Sequence, residues 1–247
     1  TCLSRAIALA IARLKQVAKP GDVVVSLHAD NLIRDNVEFK KTMETWAAVA
    51  GESGRLICLG IQPTYPSTGF GYINLGERLQ QTNGFDVFVI DQFVEKPNEA
   101  TAKTYLQSGK YLWNAGLFAA TLQTFESELN QHMPGLLETV TKVDRAQQSG
   151  DDAAAKEAYL SLENETIDYG VLEKSKNLAV IPASFDWADM GSWADLHDVL
   201  EHDENDNVIE GEYVDLDTKD CFIYSPDRLV ATIGLENLVI INTKDAI

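Results

Sequence analysis

Charged residues follow directly on three apolar stretches of the chain, and they are the first candidates for chemistry. In open α/β sheets, ligands bind beyond the carboxyl ends of the strands. If Asp30 and Asp189 meet in one cleft, their carboxylates repel one another unless a cation lies between them. Mg²⁺ suits such a pair, because it prefers one or two carboxylates together with water and phosphate oxygens. The stretches are VVVSL, followed by His28, Asp30 and Asn31, DQFV, followed by Glu95 and Lys96, and LAVIPA, followed by Asp186 and Asp189.

Each of these charged residues also has an ordinary structural use. Asp30 suits a turn or a helix N-cap, because Asp tolerates such backbone positions. Glu95 and Lys96 suit a solvated ion pair worth less than about 1 kcal/mol. Asp186 and Asp189 suit caps ahead of the next helix. The three charged endings taken together carry more weight than any one of them.

The composition excludes several classes of function. A chain of 247 residues with 45% hydrophobic residues can bury a full core. Its formal charge of -18 repels nucleic acid and anionic membranes, and no run of Lys or Arg offsets that charge. A polyanionic ligand must therefore be bound locally, by a few basic side chains, backbone amides or a divalent cation. We expect small-molecule partners, no nucleic acid and no membrane.

Motifs of other catalytic classes are absent from the sequence. There is no G-x-x-x-x-G-K-[ST] or G-x-G-x-x-G loop, no H-E-x-x-H and no G-x-S-x-G. The cysteines Cys2, Cys58 and Cys221 are far apart and odd in number, which indicates reduced, packed thiols in a cytosol. The apolar run AIALAIARL is short and contains Arg13, so it is predicted to be a helix and not a signal peptide.

The elements that must position the charged residues alternate between helix and strand. A helical pattern from Leu3 to Leu14 precedes VVVSL, and the helical NVEFKKTMETWAAVAGESG precedes the apolar RLICLGI. This alternation predicts a mainly parallel sheet covered on both faces. From GFGYINLGERL to GFDVFVIDQFVEKP, alternating residues and glycine turns predict an antiparallel insertion beside that sheet.

The middle of the chain is predicted to be mostly helical. NEATAKTYLQSG has the pattern of a helix with Asn98 as its cap and Gly109 at its end, and LFAA is a predicted strand. Residues 136–164 are polar and amphipathic, with an acidic, alanine-rich stretch. They are predicted to form helices in a surface layer.

The end of the chain changes from helix to strand. Ser192 and Asp195 have the spacing of a capping box at the start of the helix SWADLHDVLEH. The last forty residues, with turns around Pro226 and Gly234, predict several short strands. We therefore expect an α/β domain over residues 1–202 and a C-terminal β segment over residues 203–247.

Six short motifs, taken in order, resemble the mannose-1-phosphate guanylyltransferases, also called GDP-mannose pyrophosphorylases. They are HADNLI, TGFGYINLGE, FVEKP, YLWNAGLFAA, IDYGVLEKS and DWADMGSW, and they extend along nearly all of the chain. The resemblance implies an α/β nucleotide-diphospho-sugar transferase fold of the Rossmann-like GT-A type. This fold has a mixed sheet flanked by helices, here with a small C-terminal β appendage.

The resemblance also implies the reaction of GTP with mannose 1-phosphate to give GDP-mannose and pyrophosphate, with Mg²⁺ at the α-phosphate. Lys96 would meet the sugar phosphate, Glu95, Asn114 and the backbone near Gly71 would meet the sugar hydroxyls, and Asp168 would support the sugar side. Such chemistry needs no protein nucleophile, because positioning and charge neutralisation are sufficient. By matching motif, the catalytic residues are Asp30, Lys96 and Asp189, the metal ligands are Asp30 and Asp189, and the substrate-binding residues are Gly71, Glu95, Asn114 and Asp168.

The chain departs from the family pattern at two places. It begins at Thr1, after the position of the family's glycine-rich triphosphate loop, so we expect a missing segment upstream. His28 and Asn31 stand where Pro and His are common, which leaves the base preference open. Two alternatives remain: a relative that uses another nucleotide or sugar phosphate, and a non-catalytic sugar-phosphate-binding module. We also expect a homo-oligomer, because a missing sheet segment would expose strand edges.

Overall fold

The computed structural model describes residues 3–162 and 164–247, and within them the chain forms two units. The first unit consists of the residues up to His28 together with Arg34–Asp186, and the second of Ala29–Ile33 with Trp187–Ile247. The helices are α1 Leu3–Leu14, α2 Asn36–Ser53, α3 Glu99–Ser108, α4 Leu122–His132, α5 Pro134–Ser149, α6 Asp152–Leu160 and α7 Trp193–Val199, with a π-helix at Asp168–Leu172. The strands are β1 Val23–Ser26, β2 Asn31–Ile33, β3 Leu56–Ile61, β4 Tyr72–Thr82, β5 Phe85–Val94, β6 Tyr111–Thr121, β7 Leu178–Ala183, β8 Trp187–Asp189, β9 Val208–Leu216, β10 Phe222–Ile233 and β11 Val239–Ile241.

The sheet of the first unit is mixed. Its strands lie in the order β1-β6-β3-β7-β5-β4, and β4 also pairs with β6. Among these described strands β3 and β7 are the only hydrogen-bonded neighbours that run parallel, so the expectation of a mainly parallel sheet is wrong. Burial on both faces produces a continuous apolar run whatever the direction of the neighbouring strands, so the run itself cannot report that direction.

The hairpin of β4 and β5 belongs to this same sheet, so its predicted position beside the sheet is also wrong. Tyr72–Asn74 of β4 pair with β6, and Phe88 and Val89 of β5 pair with β7. Only the outer half of the hairpin extends away from these partners, and its β4 residues are exposed. That outer half produced the alternating sequence pattern, because one face of it is solvated.

The core of the first unit lies between the sheet and the helices α1, α4 and α5. Its largest buried members include Ile11 of α1, Phe118 of β6, and Phe125 and Leu129 of α4. Each such side chain contributes roughly 2 kcal/mol by leaving water. The amphipathic helices predicted for residues 136–164 are α5 and α6, and α5 also packs its apolar face on this core through Val140.

The helix ends confirm the predicted caps. Asn98 accepts a hydrogen bond from the Thr101 N–H at 2.9 Å at the start of α3, and Gly109 ends that helix with a φ of 64°. Ser192 and Asp195 form the predicted capping box of α7, in which Ser192 Oγ accepts from the Asp195 N–H at 3.2 Å. These signals are local in sequence, so they do not depend on the topology of the sheet.

The second unit contains two small sheets. The strands β2 and β8 form an antiparallel pair, and β9, β10 and β11 form a parallel sheet in the order β11-β10-β9. Polar side chains connect this parallel sheet internally, because Thr232 Oγ1 lies 2.6 Å from Tyr213 Oη and 2.8 Å from Thr218 Oγ1. The C-terminal strands predicted from sequence are therefore present.

Some of the remaining predictions from sequence are tested by the structure, and others are not. Cys58 and Cys221 are buried free thiols, as predicted, and Cys2 lies outside the described residues. No helix among the described residues is long and apolar enough to cross a membrane. The domain boundary after residue 202 and the homo-oligomer stay predictions.

Gly211 provides a test of the parallel sheet. It pairs with Ser225, has a φ of 125°, and an added Cβ would overlap the Ser225 carbonyl oxygen. We expect Gly211→Ala to lower the free energy of unfolding by about 3 kcal/mol, since both the backbone angle and the overlap oppose a side chain. Gly234 is the matched control, because its φ is 62° but an added Cβ meets nothing within 4 Å. Gly234→Ala should cost only about 1 kcal/mol. Urea denaturation measures both, and equal losses would contradict the assignment.

Candidate functional site

The first group of predicted site residues lies in the second unit, on the pair β2 and β8. Asp30 directly precedes β2, and Asn31 is the Cα partner of Asp189. Asn31 Nδ2 donates a hydrogen bond to Asp189 Oδ1 at 3.2 Å, although the two residues are 158 positions apart in sequence. The Trp187 indole N–H donates to Asn31 Oδ1 at 3.1 Å, which fixes the orientation of the amide. The structure therefore brings the Asp30 and Asp189 segments side by side.

The donor set on this pair of strands fits a magnesium ion. Asp30 is exposed and Asp189 is half-buried, so one carboxylate is oriented by the protein and the other is at the surface. Mg²⁺ keeps most of its water and takes one or two protein carboxylates, whereas structural zinc takes four Cys or His ligands. In the described part of the chain no group of three or more His, Cys, Asp or Glu residues could hold a metal, which excludes a zinc-type cage there.

Two other acids in this part of the chain, Asp186 and Asp195, have structural partners. Asp186, in the first unit, forms an exposed ion pair with Arg34, with Nη1 and Oδ2 separated by 3.2 Å. Asp195, in the second unit, accepts from the Ser192 N–H and hydroxyl, both at 2.7 Å. Asp189 differs from these two, because its oxygen contacts a side chain whose own position is fixed by Trp187.

The second group of predicted residues forms a cluster in the first unit. We call Gly71, Glu95, Lys96, Asn114 and Asp168 the amide-carboxylate cluster. Asn114 is at its centre: its N–H donates to the Gly71 carbonyl at 2.8 Å, and its Nδ2 donates to Asp168 Oδ1 at 3.3 Å. Lys96 Nζ lies 3.1 Å from Glu95 Oε1. The structure thus brings together five of the seven residues that the sequence motifs matched.

The Glu95 carboxylate occupies the space that a side chain at position 71 would need, so only glycine fits there. A Cβ added to Gly71 would lie 2.6 Å from Glu95 Oε2 and 3.3 Å from the Cβ of Asn114. The Glu95 side chain is only 10% exposed, so it cannot swing away into solvent without losing this packing. Gly71 therefore defines where the Glu95 carboxylate lies.

Two ionisable groups of the amide-carboxylate cluster, Asp168 and Lys96, have pKa values raised above their ordinary values. Burial, and then the nearby negative charge of Glu95, raise the pKa of Asp168 to about 6. The hydrogen bond and charge of Glu95 raise the pKa of Lys96, whose side chain is 60% exposed, so the ammonium stays charged at neutral pH. The cluster thus combines a carboxyl group that titrates near neutral pH, a carboxylate, an amide and an accessible cation.

The backbone at Lys96 is strained. Its φ is 44°, in the left-handed region that costs a residue other than glycine about 1 kcal/mol. Pro97 follows it, and a proline restricts the backbone of the residue before it. A strained turn of this kind persists only where surrounding contacts hold it.

Two residues near the cluster escaped the sequence analysis as site residues. Glu173 Oε1 accepts the Glu95 N–H at 3.3 Å, and His28 Nε2 lies 3.0 Å from the Gly116 carbonyl oxygen. Gly116 has a φ of 70°, and its N–H donates to Asn114 Oδ1 at 3.2 Å. Glu173 is inside the motif IDYGVLEKS, but its role depends on a π-helix that no sequence pattern here predicts.

Comparisons with known protein families agree with this architecture. Residues 3–206 match the family described as nucleotidyl transferase. Residues 211–247 match the family described as MannoseP isomerase/GMP-like beta-helix domain, and this range contains most of β9 with β10 and β11. The expected fold class, a mixed sheet flanked by helices with a small C-terminal β sheet, is confirmed.

Named relatives confirm the resemblance to mannose-1-phosphate guanylyltransferases. The chain is 38% identical over 243 residues to a xanthan biosynthesis protein XanB of Xanthomonas campestris pv. campestris, covering 97% of this chain and 50% of that protein. It is 34% identical over 245 residues to the mannose-1-phosphate guanylyltransferase of Escherichia coli, covering 98% of this chain and 51% of that one. The chain therefore spans about half the length of the curated relatives it matches.

A solved structure matches the same residues. A crystal structure from Thermus thermophilus, described as a mannose-1-phosphate geranyltransferase, is 32% identical with a TM-score of 0.81, covering 98% of this chain and 68% of that chain. Sequence and fold agree along nearly the whole chain, and the family match covers residues 3–206. The chain belongs to the nucleotidyl transferase family.

Proposed function

We propose that the protein is a mannose-1-phosphate guanylyltransferase that converts GTP and mannose 1-phosphate to GDP-mannose and pyrophosphate. A phosphate oxygen of mannose 1-phosphate attacks the α-phosphorus of GTP, a new P–O bond forms, and the bond to the β-phosphate oxygen breaks. The observation that carries the proposal is the amide-carboxylate cluster, in which Lys96 lies beside Glu95 within one group of hydroxyl-binding side chains. The names of the relatives support this choice of substrates.

The cluster suits a sugar phosphate in its residue types. The carboxylate of Glu95 accepts hydrogen bonds from hydroxyls, and the amide of Asn114 both accepts and donates. The ammonium of Lys96 is a compact partner for a phosphate, and its exposure leaves it accessible. Asp168 holds the Asn114 amide in place through Nδ2. We therefore assign Glu95, Asn114 and the backbone at Gly71 to the sugar, Lys96 to its phosphate, and Asp168 to support of the sugar side.

We assign Asp30 and Asp189 as the ligands of Mg²⁺. When bound, the ion would withdraw charge from the α-phosphate of the nucleotide. Asn31 holds the Asp189 carboxylate in one orientation, and Trp187 holds Asn31. None of the assigned residues acts as a nucleophile, so the contribution of the protein is positioning and charge neutralisation.

A nucleotide panel tests the proposal directly. Pyrophosphate release is measured with mannose 1-phosphate, Mg²⁺ and each of GTP, ATP, UTP and CTP. We expect the highest kcat/KM with GTP, because the relatives named for this activity are guanylyltransferases. Higher activity with another nucleotide would favour the alternative that the protein is a relative that uses another nucleotide. Sugar-phosphate binding without any turnover would favour the non-catalytic module.

Removing one proposed metal ligand should abolish turnover. We expect Asp30→Ala to reduce kcat with GTP and mannose 1-phosphate about a thousandfold. Without this ligand Mg²⁺ would bind poorly, and the negative charge on the α-phosphate would not be neutralised. The fold should be unaffected, because Asp30 is exposed. The matched control is Asp186→Ala, which breaks only an exposed ion pair with Arg34 and should retain full activity. The assignment is wrong if Asp30→Ala keeps near-normal activity at saturating Mg²⁺.

The raised pKa of Asp168 predicts a pH dependence of stability. The carboxyl group ionises near pH 6 in the folded protein and near 3.8 in the unfolded chain, so unfolding releases a proton between these values. The free energy of unfolding should therefore fall as pH rises from about 4 to 6, and be flat above that range.

The variant Asp168→Asn should remove this dependence. At pH 8 it should be more stable than the wild-type protein by up to about 3 kcal/mol, because no buried charge is left to repel Glu95. Urea denaturation at pH 5 and pH 8 measures the effect, with the exposed Asp227→Asn as control. Equal stability of Asp168→Asn and the wild-type protein at pH 8 would contradict the burial of this charge.

A further inference from the structure

We infer that Glu173 is a positioning residue for the sugar-phosphate site, because its carboxylate fixes the backbone that presents both Glu95 and Lys96. Glu173 Oε1 accepts a hydrogen bond from the Glu95 N–H at 3.3 Å. This inference rests on the proposed function and extends it, since Glu173 would touch neither substrate. It would act through the main chain of the turn that follows β5.

The turn after β5 has a strand neighbour on one side. The last residues of β5, up to Val94, pair with β4, whereas the described pairing with β7 is at Phe88 and Val89. On the side of β7, the described residues therefore leave room for a side-chain contact. Beyond that point a cleft of about 650 Å³ separates the end of β5 from residues 172–178. Glu173 belongs to the far wall of this cleft and reaches across it to Glu95. The left-handed backbone of Lys96 follows immediately, so the strained residue comes one position after the tethered amide.

The π-helix holds Glu173 firmly enough to act as an anchor. The Glu173 N–H donates to the Asp168 carbonyl at 2.9 Å, and the Ser175 N–H donates to the Val171 carbonyl at 2.8 Å. Val171 and Leu172 are buried in the core of the first unit. A π-turn inserted in a chain is often found at functional sites, because it places side chains where a regular helix would not.

The π-helix therefore contacts the amide-carboxylate cluster through residues at both ends of the helix. Asp168, at the start of the π-helix, accepts from Asn114 Nδ2, and Glu173, at its end, accepts from the Glu95 N–H. The carboxylate of Glu95 is closely packed, since it lies in the space that a Cβ on Gly71 would occupy. A shift of the Glu95 main chain would move its carboxylate and the adjacent Lys96 ammonium together. The structure thus couples sugar recognition and phosphate recognition through a single backbone amide.

The test compares two substitutions of Glu173. Glu173→Ala removes the acceptor, and we expect the KM for mannose 1-phosphate to rise at least about tenfold while the KM for GTP stays unchanged. Glu173→Gln keeps a carbonyl oxygen at the same position, and should restore that KM to within about threefold of the wild-type value. Glu138→Ala is the charge control, because Glu138 is exposed on α5 and bonds only Lys142 among the described contacts of its side chain; it should change neither KM.

A second measurement tests the hydrogen bond between Glu173 and the Glu95 N–H, which we call the tether, and it needs no substrate. Hydrogen exchange of the Glu95 amide, followed by NMR, should be faster in Glu173→Ala than in the wild-type protein and near wild-type in Glu173→Gln. A purely structural role would instead lower the melting temperature and change both KM values alike. Since Glu173 is exposed, we expect the melting temperature to be unchanged.

The outcomes separate the inference from the function on which it rests. If the wild-type protein turns over but Glu173→Ala keeps its KM for mannose 1-phosphate, the inference is overturned and the proposed function stands. If the wild-type protein does not turn over with GTP and mannose 1-phosphate, the proposed function is overturned. Hydrogen exchange of the Glu95 amide then still tests whether Glu173 holds this amide. Unchanged amide exchange in Glu173→Ala overturns the tether in either case.

Discussion

Repulsion between the carboxylates of Glu95 and Asp168, in a place largely closed to water, is the constraint on which the amide-carboxylate cluster depends. Burial, and then this repulsion, raise the pKa of Asp168 to about 6. Lys96 offsets the charge from one side, and Asn114 satisfies an Asp168 oxygen from the other. Burial of the Asp168 charge costs free energy even with these partners, so stability alone does not explain the arrangement. Costly groups that are held in fixed positions are typical of sites that bind or react.

The sequence predicts local features of this fold well and long-range ones poorly. The capping residues Asn98 and Ser192 are where their short motifs place them, because each cap involves neighbours in the chain. The direction of β6 escaped prediction, since a strand buried on both faces has the same apolar pattern beside parallel or antiparallel partners. Asp30, Glu95, Lys96 and Asp189 were predicted from the charged ends of apolar runs, whereas Gly71, Asn114 and Asp168 were predicted from the family motifs alone. Glu173 was missed because the wide π-turn that aims it at Glu95 has no recognised sequence signal.

The departure from the family pattern at Asn31 is small in chemical terms. A neutral histidine, common at that position, carries one ring nitrogen that donates and one that accepts. Asn31 performs both tasks through a single amide: its oxygen accepts from the Trp187 indole, and its nitrogen donates to Asp189. The function that this position serves, orientation of a carboxylate, therefore survives the substitution. For the same reason Asn31 by itself gives little information about which nucleotide the protein selects.

The acidic charge of the chain sets how a phosphate must be bound. A formal charge of -18 opposes the approach of any polyanion, so attraction has to come from groups within a few ångströms of it. Lys96 meets this requirement, because Glu95 raises its pKa while most of its side chain stays exposed to solvent. The ion pair holds the ammonium beside the Glu95 carboxylate before any ligand arrives. Under the proposed assignment Glu95 both positions this cation and binds hydroxyls, so the position of its main chain affects both groups at once.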